Sequence, residues 1–186
     1  MSRSNPLQSD GALQPPVARR PADSTVTMTE LVMPQHTNVV GTAFGGQVLS
    51  WVDIAAGVCA GRHAGRVCVT VAMDEVHFRE PIHLADIVRV EAVVSHVGRS
   101  SVEVMVAVHR ENYVGGSQRA LDAILVFVAV DDNGQPCPVP GLMLESELQH
   151  QRFAEGAARR ASRLARVGRA PDGDAAVAGT EAEGGE

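Results

Sequence analysis

The chain has 186 residues, among them 28 valines and no lysine, and its 16 arginines stand against 22 acidic groups for a formal charge of −6. That balance argues against a nucleic-acid binder, which needs a strong basic stripe. A hydrophobic content of 45% is too high for a wholly disordered chain. No apolar run reaches the ~18 residues of a membrane span, and the first twenty or so residues lack the apolar centre of a signal peptide. The expectation is a cytoplasmic protein of one domain plus tails, with no membrane and no nucleic-acid partner. The missing lysine also excludes a Schiff-base lysine and a P-loop lysine.

Residues 1–22, rich in Pro, Ser, Gln and Arg, read as a disordered tail. The folded domain is expected over 23–144, followed by a helix over 145–168 and a Gly/Ala/Glu-rich disordered tail over 169–186. Residues 25–33 form a first strand candidate. Residues 46–61, GQVLSWVDIAAGVCAG, are apolar on every face, which predicts a buried helix. Seventeen of the valines fall within residues 67–130, and β-branched side chains favour strands. Strands are therefore expected over 67–78, 86–97, 101–110 and 119–130. Val88, Val90, Ala92 and Val94 would share one face, and Val102, Val104, Val106 and Val108 another. Val97-Gly98-Arg99-Ser100 is a hairpin link, and Asp131-Asp132-Asn133-Gly134 a turn. One helix followed by a run of strands predicts an α+β fold with an antiparallel sheet around the helix.

Between His36 and Arg62 the only charged side chain is Asp53, in the middle of the apolar helix. A carboxylate there either finds partners or shifts its pKa, and such groups are frequent catalytic residues; an Asp on the one wet edge of the helix is the plainer reading. Upstream, Gly45-Gly46 opens the helix. Its free N–H groups suit an anion or a developing oxyanion, although an ordinary glycine-rich loop has the same composition. Asn38 reads as a turn or helix-cap residue. Cys59, Cys68 and Cys137 read as reduced thiols. Cys59 and His63 have a helical zinc-ligand spacing, but no further ligand cluster accompanies them; Cys59 is better read as a small buried hydrophobe, and no metal is expected. The arginines at 152, 159, 160, 163, 166 and 169 fall on or near the last helix, where a solvated face with Glu147 and Glu155 as partners is expected.

The stretch HTNVVGTAFGGQVLSWVDIAAGVCAGRH, residues 36–63, resembles the acyl-CoA thioesterases of the hotdog fold, and most of all the branch of brain-type acyl-CoA hydrolase and the short bacterial single-domain enzymes. The shared pattern is an Asn, a Gly, a Gly-Gly pair and an Asp seven residues later. The resemblance extends through Phe78-Arg79-Glu80-Pro81, Val97-Gly98-Arg99-Ser100-Ser101, Phe127-Val128-Ala129-Val130-Asp131 and the last helix. It implies an antiparallel sheet of five or six strands wrapped around a long buried helix. It also implies a homodimer or trimer of dimers whose active site lies between two hotdogs, with Asn38 from one and Asp53 from the other.

The implied reaction is hydrolysis of acyl-CoA to free CoA and a carboxylate. Asp53 would be general base on water, or else nucleophile, and Asn38 would orient the water or polarise the carbonyl. Backbone N–H groups of Gly45, Gly46 and Gln47 would hold the oxyanion, while Arg99, Ser100 and Ser101 would meet the CoA moiety. No cofactor is expected beyond the CoA of the substrate. Two other readings of the same fold are an acyl-thioester hydratase or dehydratase, which would use a His with an Asp or Glu, and a non-catalytic acyl-CoA sensor. No G-x-S-x-G elbow supports a serine triad.

Overall fold

The computed structural model describes residues 17–166 and 168. Five strands form one sheet: β1 (Val26–Leu31), β2 (Cys68–Phe78), β3 (Ile87–Val97), β4 (Ser101–Glu111) and β5 (Ser117–Ala129). Their order is β1-β3-β4-β5-β2, with every pairing antiparallel. Helix α1 (Gly45–Ala64) lies on one face of the sheet, and helix α2 (Glu147–Arg166) packs against β3. This is the expected α+β hotdog arrangement, with five strands.

Alternation decides which face meets the helix. Val88, Val90, Ala92 and Val94 of β3 and Val102, Val104, Val106 and Val108 of β4 are all buried. They pack with Leu121, Ala123, Leu125 and Phe127 of β5 against Val48, Trp51, Val52, Ala55, Ala56 and Cys59 of α1. The short alanine side chains let the helix axis come close to the sheet. Gly65 ends α1 in the left-handed conformation (φ 66°), the usual role of glycine at this position.

Two expectations are corrected. Helix α1 is not buried on every side: Ile54 is 52% and Val58 45% exposed, and Ser50 faces solvent with them. The sheet runs out beside this stripe, because β2 is an edge strand. Second, the tail expected over 1–22 is ordered from residue 17 onward. Arg19 pairs with the chain at Gly141 and Met143 through its backbone. Its guanidinium donates to the carbonyls of Arg62 and His63 at the C-terminal end of α1, where a cation is favoured by the free carbonyls and the helix dipole. The remaining expected tails, 1–16 and 169–186, lie outside the described residues.

Helix α2 keeps most of its surface in water, but Arg159 and Arg163 turn inward to a buried carboxylate. Glu103 is 1% exposed. Arg159 and Arg163 donate to its carboxylate at 2.8 and 3.1 Å, Ser95 Oγ donates at 2.9 Å, and Arg163 bridges on to Asp74 at 2.9 Å. Gly156 lets α2 come this close: a Cβ there would fall 2.4 Å from His96 Cβ and 2.9 Å from Glu103 Oε1. Burial pushes the Glu103 pKa up, but Arg159, Ser95 and Arg163 outweigh it and hold the carboxyl below its ordinary value.

Removing the charge of Glu103 takes away the partner of Arg159 and leaves Arg163 with Asp74 alone, a loss of about 3–5 kcal/mol for breaking a buried ion pair. A group whose folded pKa is depressed stabilises above its unfolded pKa and loses that contribution as pH falls through the folded value. Thermal unfolding should therefore show Glu103→Gln well below wild type at pH 7, with the gap closing as pH drops below 4.5, the ordinary glutamate value.

Candidate active site

The loop before α1 is built around Asn38. Its backbone N–H donates to the Thr42 carbonyl (2.8 Å), its Oδ1 accepts from Val40 N (3.0 Å) and Thr42 N (3.2 Å), and its Nδ2 donates to Thr42 Oγ1 (2.9 Å). This is a side-chain-closed turn, which Asn favours, with Gly41 at φ 81° supplying the reversal. The loop is anchored by Ala43 N donating to the Ile82 carbonyl (2.7 Å). The amide of Asn38 is thus held in one orientation.

Phe44 caps α1 without any side-chain acceptor. Among the described residues the N–H groups of Gly45 and Gly46 have no backbone or side-chain partner, as the first amides of a helix do unless something caps them. The Gln47 N–H, expected to join them, is instead taken by the Phe44 carbonyl at 2.9 Å. The Phe44 ring folds over Gly46, where a Cβ would meet it at 2.4 Å, and a Cβ on Gly45 would lie 3.4 Å from the Phe78 ring. A cleft of about 370 Å³ opens at this helix start, lined by Thr42, Gly45, Val48, Phe78, Pro81 and Ile82 among others.

Asp53 lies two turns further along α1, half-buried at the border of the open stripe. Thr70 Oγ1 of β2 donates to its Oδ1 at 2.8 Å; its Oδ2 has no hydrogen bond among the described residues. Sequence reasoning missed Thr70. The signal was a hydroxyl in the run Cys68-Val69-Thr70-Val71, but only the fold shows that it faces Asp53. At 1.5 Å rise per residue, the eight residues from Gly45 to Asp53 separate the two backbones by roughly 12 Å along the helix axis, more than an aspartate side chain spans. One chain therefore does not bring its own Asp53 to its own Gly45-Gly46 amides.

Around this gap the surface is apolar. Val69, Val71 and Met73 of β2 and Ile54 and Val58 of α1 are all exposed. A long apolar edge strand with free backbone groups is a ready template for a second chain.

Arg99, Ser100 and Ser101 form the β3–β4 turn. Gly98 N donates to the Ser101 carbonyl, Val139 N to the Arg99 carbonyl and Ala129 N to the Ser100 carbonyl, so the turn is tied to β5 and to the segment after it. Phe127 of β5 pairs with Thr70 on one side and Val102 on the other. The turn and the Asp53–Thr70 pair thus sit at one level of the sheet, about 10 Å apart across two strand spacings.

Other titratable groups are committed elsewhere. His63 is buried, its Nε2 donates to the Pro140 carbonyl at 3.0 Å, and burial lowers its pKa. His36 packs edge-on against Trp51 at 5.2 Å. Burial pushes the Cys59 thiol up to about 12 and Cys68 to about 11, so neither supplies a thiolate near neutral pH. Among the described residues no helix is long and apolar enough to cross a membrane.

The family model described as the thioesterase superfamily matches residues 40–115. The uncharacterized acyl-CoA thioester hydrolase YkhA of Bacillus subtilis is 41% identical over 136 residues, covering 73% of this chain and 79% of that protein. Human cytosolic acyl coenzyme A thioester hydrolase is 30% identical over 139 residues, 73% of this chain but 37% of that protein. Among solved structures, an apo-hexameric acyl-CoA thioesterase superposes with a TM-score of 0.77 at 35% identity, covering 81% of this chain and 97% of that one. An acyl-CoA hydrolase of Staphylococcus aureus, solved with butyryl coenzyme A and coenzyme A, superposes at 0.75 with 34% identity over 81% of this chain and 92% of that one. The same enzyme has been solved with an Asn, an Asp and a Thr each changed to Ala. Those three positions are spaced by 15 and then 17 residues, as are Asn38, Asp53 and Thr70 here. With the sheet, the helix and the similarity in agreement, the chain belongs to the acyl-CoA thioester hydrolases of the thioesterase superfamily.

Proposed function

We propose that this chain hydrolyses acyl-CoA to free CoA and a carboxylate at a site shared by two copies of itself. The eight helical residues between Gly45 and Asp53 of the same chain, roughly 12 Å along the helix axis, are the observation that carries this reading. A water attacking a thioester carbon must touch its base while the carbonyl oxygen touches the oxyanion donors, and both contacts fall within about 3 Å of the reacting atoms. Docking two copies along the apolar β2 edge sets Asp53 of one copy against the helix start and Asn38 of its partner copy. The assembly is a homodimer or a trimer of such dimers.

Asp53 is the general base. Its Oδ2 is free to accept a proton from water while Thr70 holds Oδ1. The water oxygen bonds to the thioester carbon, and the carbonyl electrons move onto oxygen, which the Gly45 and Gly46 N–H groups stabilise. The locked amide of Asn38 orients the water or the carbonyl. Collapse of the tetrahedral adduct breaks the C–S bond, and the proton held by Asp53 passes to the departing sulfur. Because thiolate is a good leaving group, no metal or organic cofactor is required. Arg99, with the Ser100 and Ser101 hydroxyls, meets the CoA phosphates; a guanidinium suits them well. The setting is the cytoplasm, where acyl-CoA is at hand.

Three measurements test this reading. Thiol release from an acyl-CoA panel should show Asp53→Ala losing at least about 100-fold in kcat, a typical loss when a general base is removed; near-wild-type turnover would sink the assignment. Thr70→Ala should lose roughly fivefold, the scale of one net hydrogen bond of about 1 kcal/mol, and Thr70→Ser, which keeps the hydroxyl, should recover most of it. Arg99→Ala should raise KM with kcat little changed, as loss of uniform binding does; an unchanged KM would reject its role.

A further inference from the structure

Two glycines at the contact between α2 and the β3–β4 turn have no conformational need to be glycine. Neither Gly98 nor Gly156 has a positive φ, and Gly156 sits inside a helix, where alanine is the better helix former. Both have close neighbours. A Cβ on Gly156 would strike His96 and Glu103. A Cβ on Gly98 would lie 2.6 Å from Arg160 Nε, 3.1 Å from Arg160 Cζ and 2.7 Å from Ser101 Oγ. The guanidinium of Arg160 therefore lies on the bare backbone of the turn, beside the Ser101 hydroxyl.

Its position is fixed from both sides. One residue before it, Arg159 is anchored on Glu103, and one turn after Arg159, Arg163 holds Glu103 and Asp74. Successive helical residues are turned by about 100°, so while Arg159 points into the sheet Arg160 reaches sideways to the turn. The turn itself is tied at Arg99 and Ser100 by Val139 and Ala129. Two rigid elements thus bring a planar cation, a serine hydroxyl and the Arg99-Ser100 stretch to one place, in a chain with no lysine to do the same.

We infer that Arg160 is a second arginine contact for a phosphate of the CoA nucleotide, acting with the Ser101 hydroxyl, and that α2 is therefore part of the substrate site. The inference rests on the reading above, in which the turn meets CoA. Arginine–phosphate pairs are charge-assisted and are among the stronger hydrogen bonds. Losing one should weaken binding by roughly ten- to hundredfold, in KM and not in kcat.

The test is calorimetric binding of CoA alongside thiol-release kinetics for wild type, Arg160→Ala, Arg160→Lys, Gly98→Ala and, as a control at the far end of α2, Arg152→Ala. Arg160→Ala should raise both the CoA Kd and the acyl-CoA KM by roughly ten- to hundredfold. Arg160→Lys should recover part of the loss. Gly98→Ala, which displaces the guanidinium while leaving it in the chain, should mimic Arg160→Ala, and Arg152→Ala should resemble wild type. Acyl-pantetheine, which lacks the nucleotide, should show no penalty in Arg160→Ala. With 3′-dephospho-CoA the penalty vanishes if Arg160 holds the 3′-phosphate and persists if it holds the diphosphate; either outcome supports the contact. Unchanged CoA affinity in Arg160→Ala, or an equal penalty with acyl-pantetheine, would overturn this inference alone. A wild-type protein that binds no CoA would overturn the underlying reading with it.

Discussion

Five strands are too few to close around a twenty-residue apolar helix. The sheet covers α1 along β3, β4 and β5 and then ends at β2, leaving Ser50, Ile54 and Val58 bare beside the exposed valines of the edge strand. The groups around Asp53 are set by that unfinished seam. The carboxylate of Asp53 stands at its border, where it escapes the full cost of burial yet stays beside apolar surface. Thr70 reaches it because β2 is the strand next to the seam. The amides of Gly45 and Gly46 remain unpaired two turns away. In the proposed assembly, a second copy that covers the seam buries the apolar stripe and brings together groups that one chain holds apart.

At the other side of the sheet the problem is the opposite one, a charge buried too well. Glu103 alternates with valines on β4, and its position under α2 removes it from water. Arg159, Arg163 and Ser95 satisfy it, and the close approach of Gly156 seals the cluster. Such a cluster contributes little net stability compared with an apolar core, but it fixes register, because any slip of α2 leaves a charge unpaired. That fixed register places Arg160 on the turn at Gly98. The ion cluster and the phosphate site are thereby parts of one arrangement.

Much of this was legible in the chain. The alternating valines marked β3 and β4 and their buried faces, the continuous apolar run marked α1, and Asp53 stood out as the one charge within it. What was hidden depends on contacts between distant residues. The openness of α1 follows from strand order, and apolar residues on every face of a helix look the same whether the last face meets the sheet or another chain. Thr70 could not be paired with Asp53 without knowing that β2 runs beside the open stripe. The alternation of β4 does not mark Glu103 as buried, and the arginines of α2 read as a solvated face, because neither pattern records that the helix returns over the sheet. Gln47 was set beside Gly45 and Gly46 as an oxyanion donor, but a tight first turn consumes its amide.

The central claim is that each active site takes Asp53 from one copy and Asn38 with the helix start from another. Subunit mixing tests it most directly. Asn38→Ala and Asp53→Ala proteins, each inactive alone, are combined in equal amounts under conditions that exchange subunits, and thiol release is followed. In a mixed dimer one composite site carries both substitutions and the other carries neither, so random exchange should restore about a quarter of wild-type turnover. A mixture that stays as inactive as its components, with exchange verified, would show that both groups act within one chain and would contradict the account.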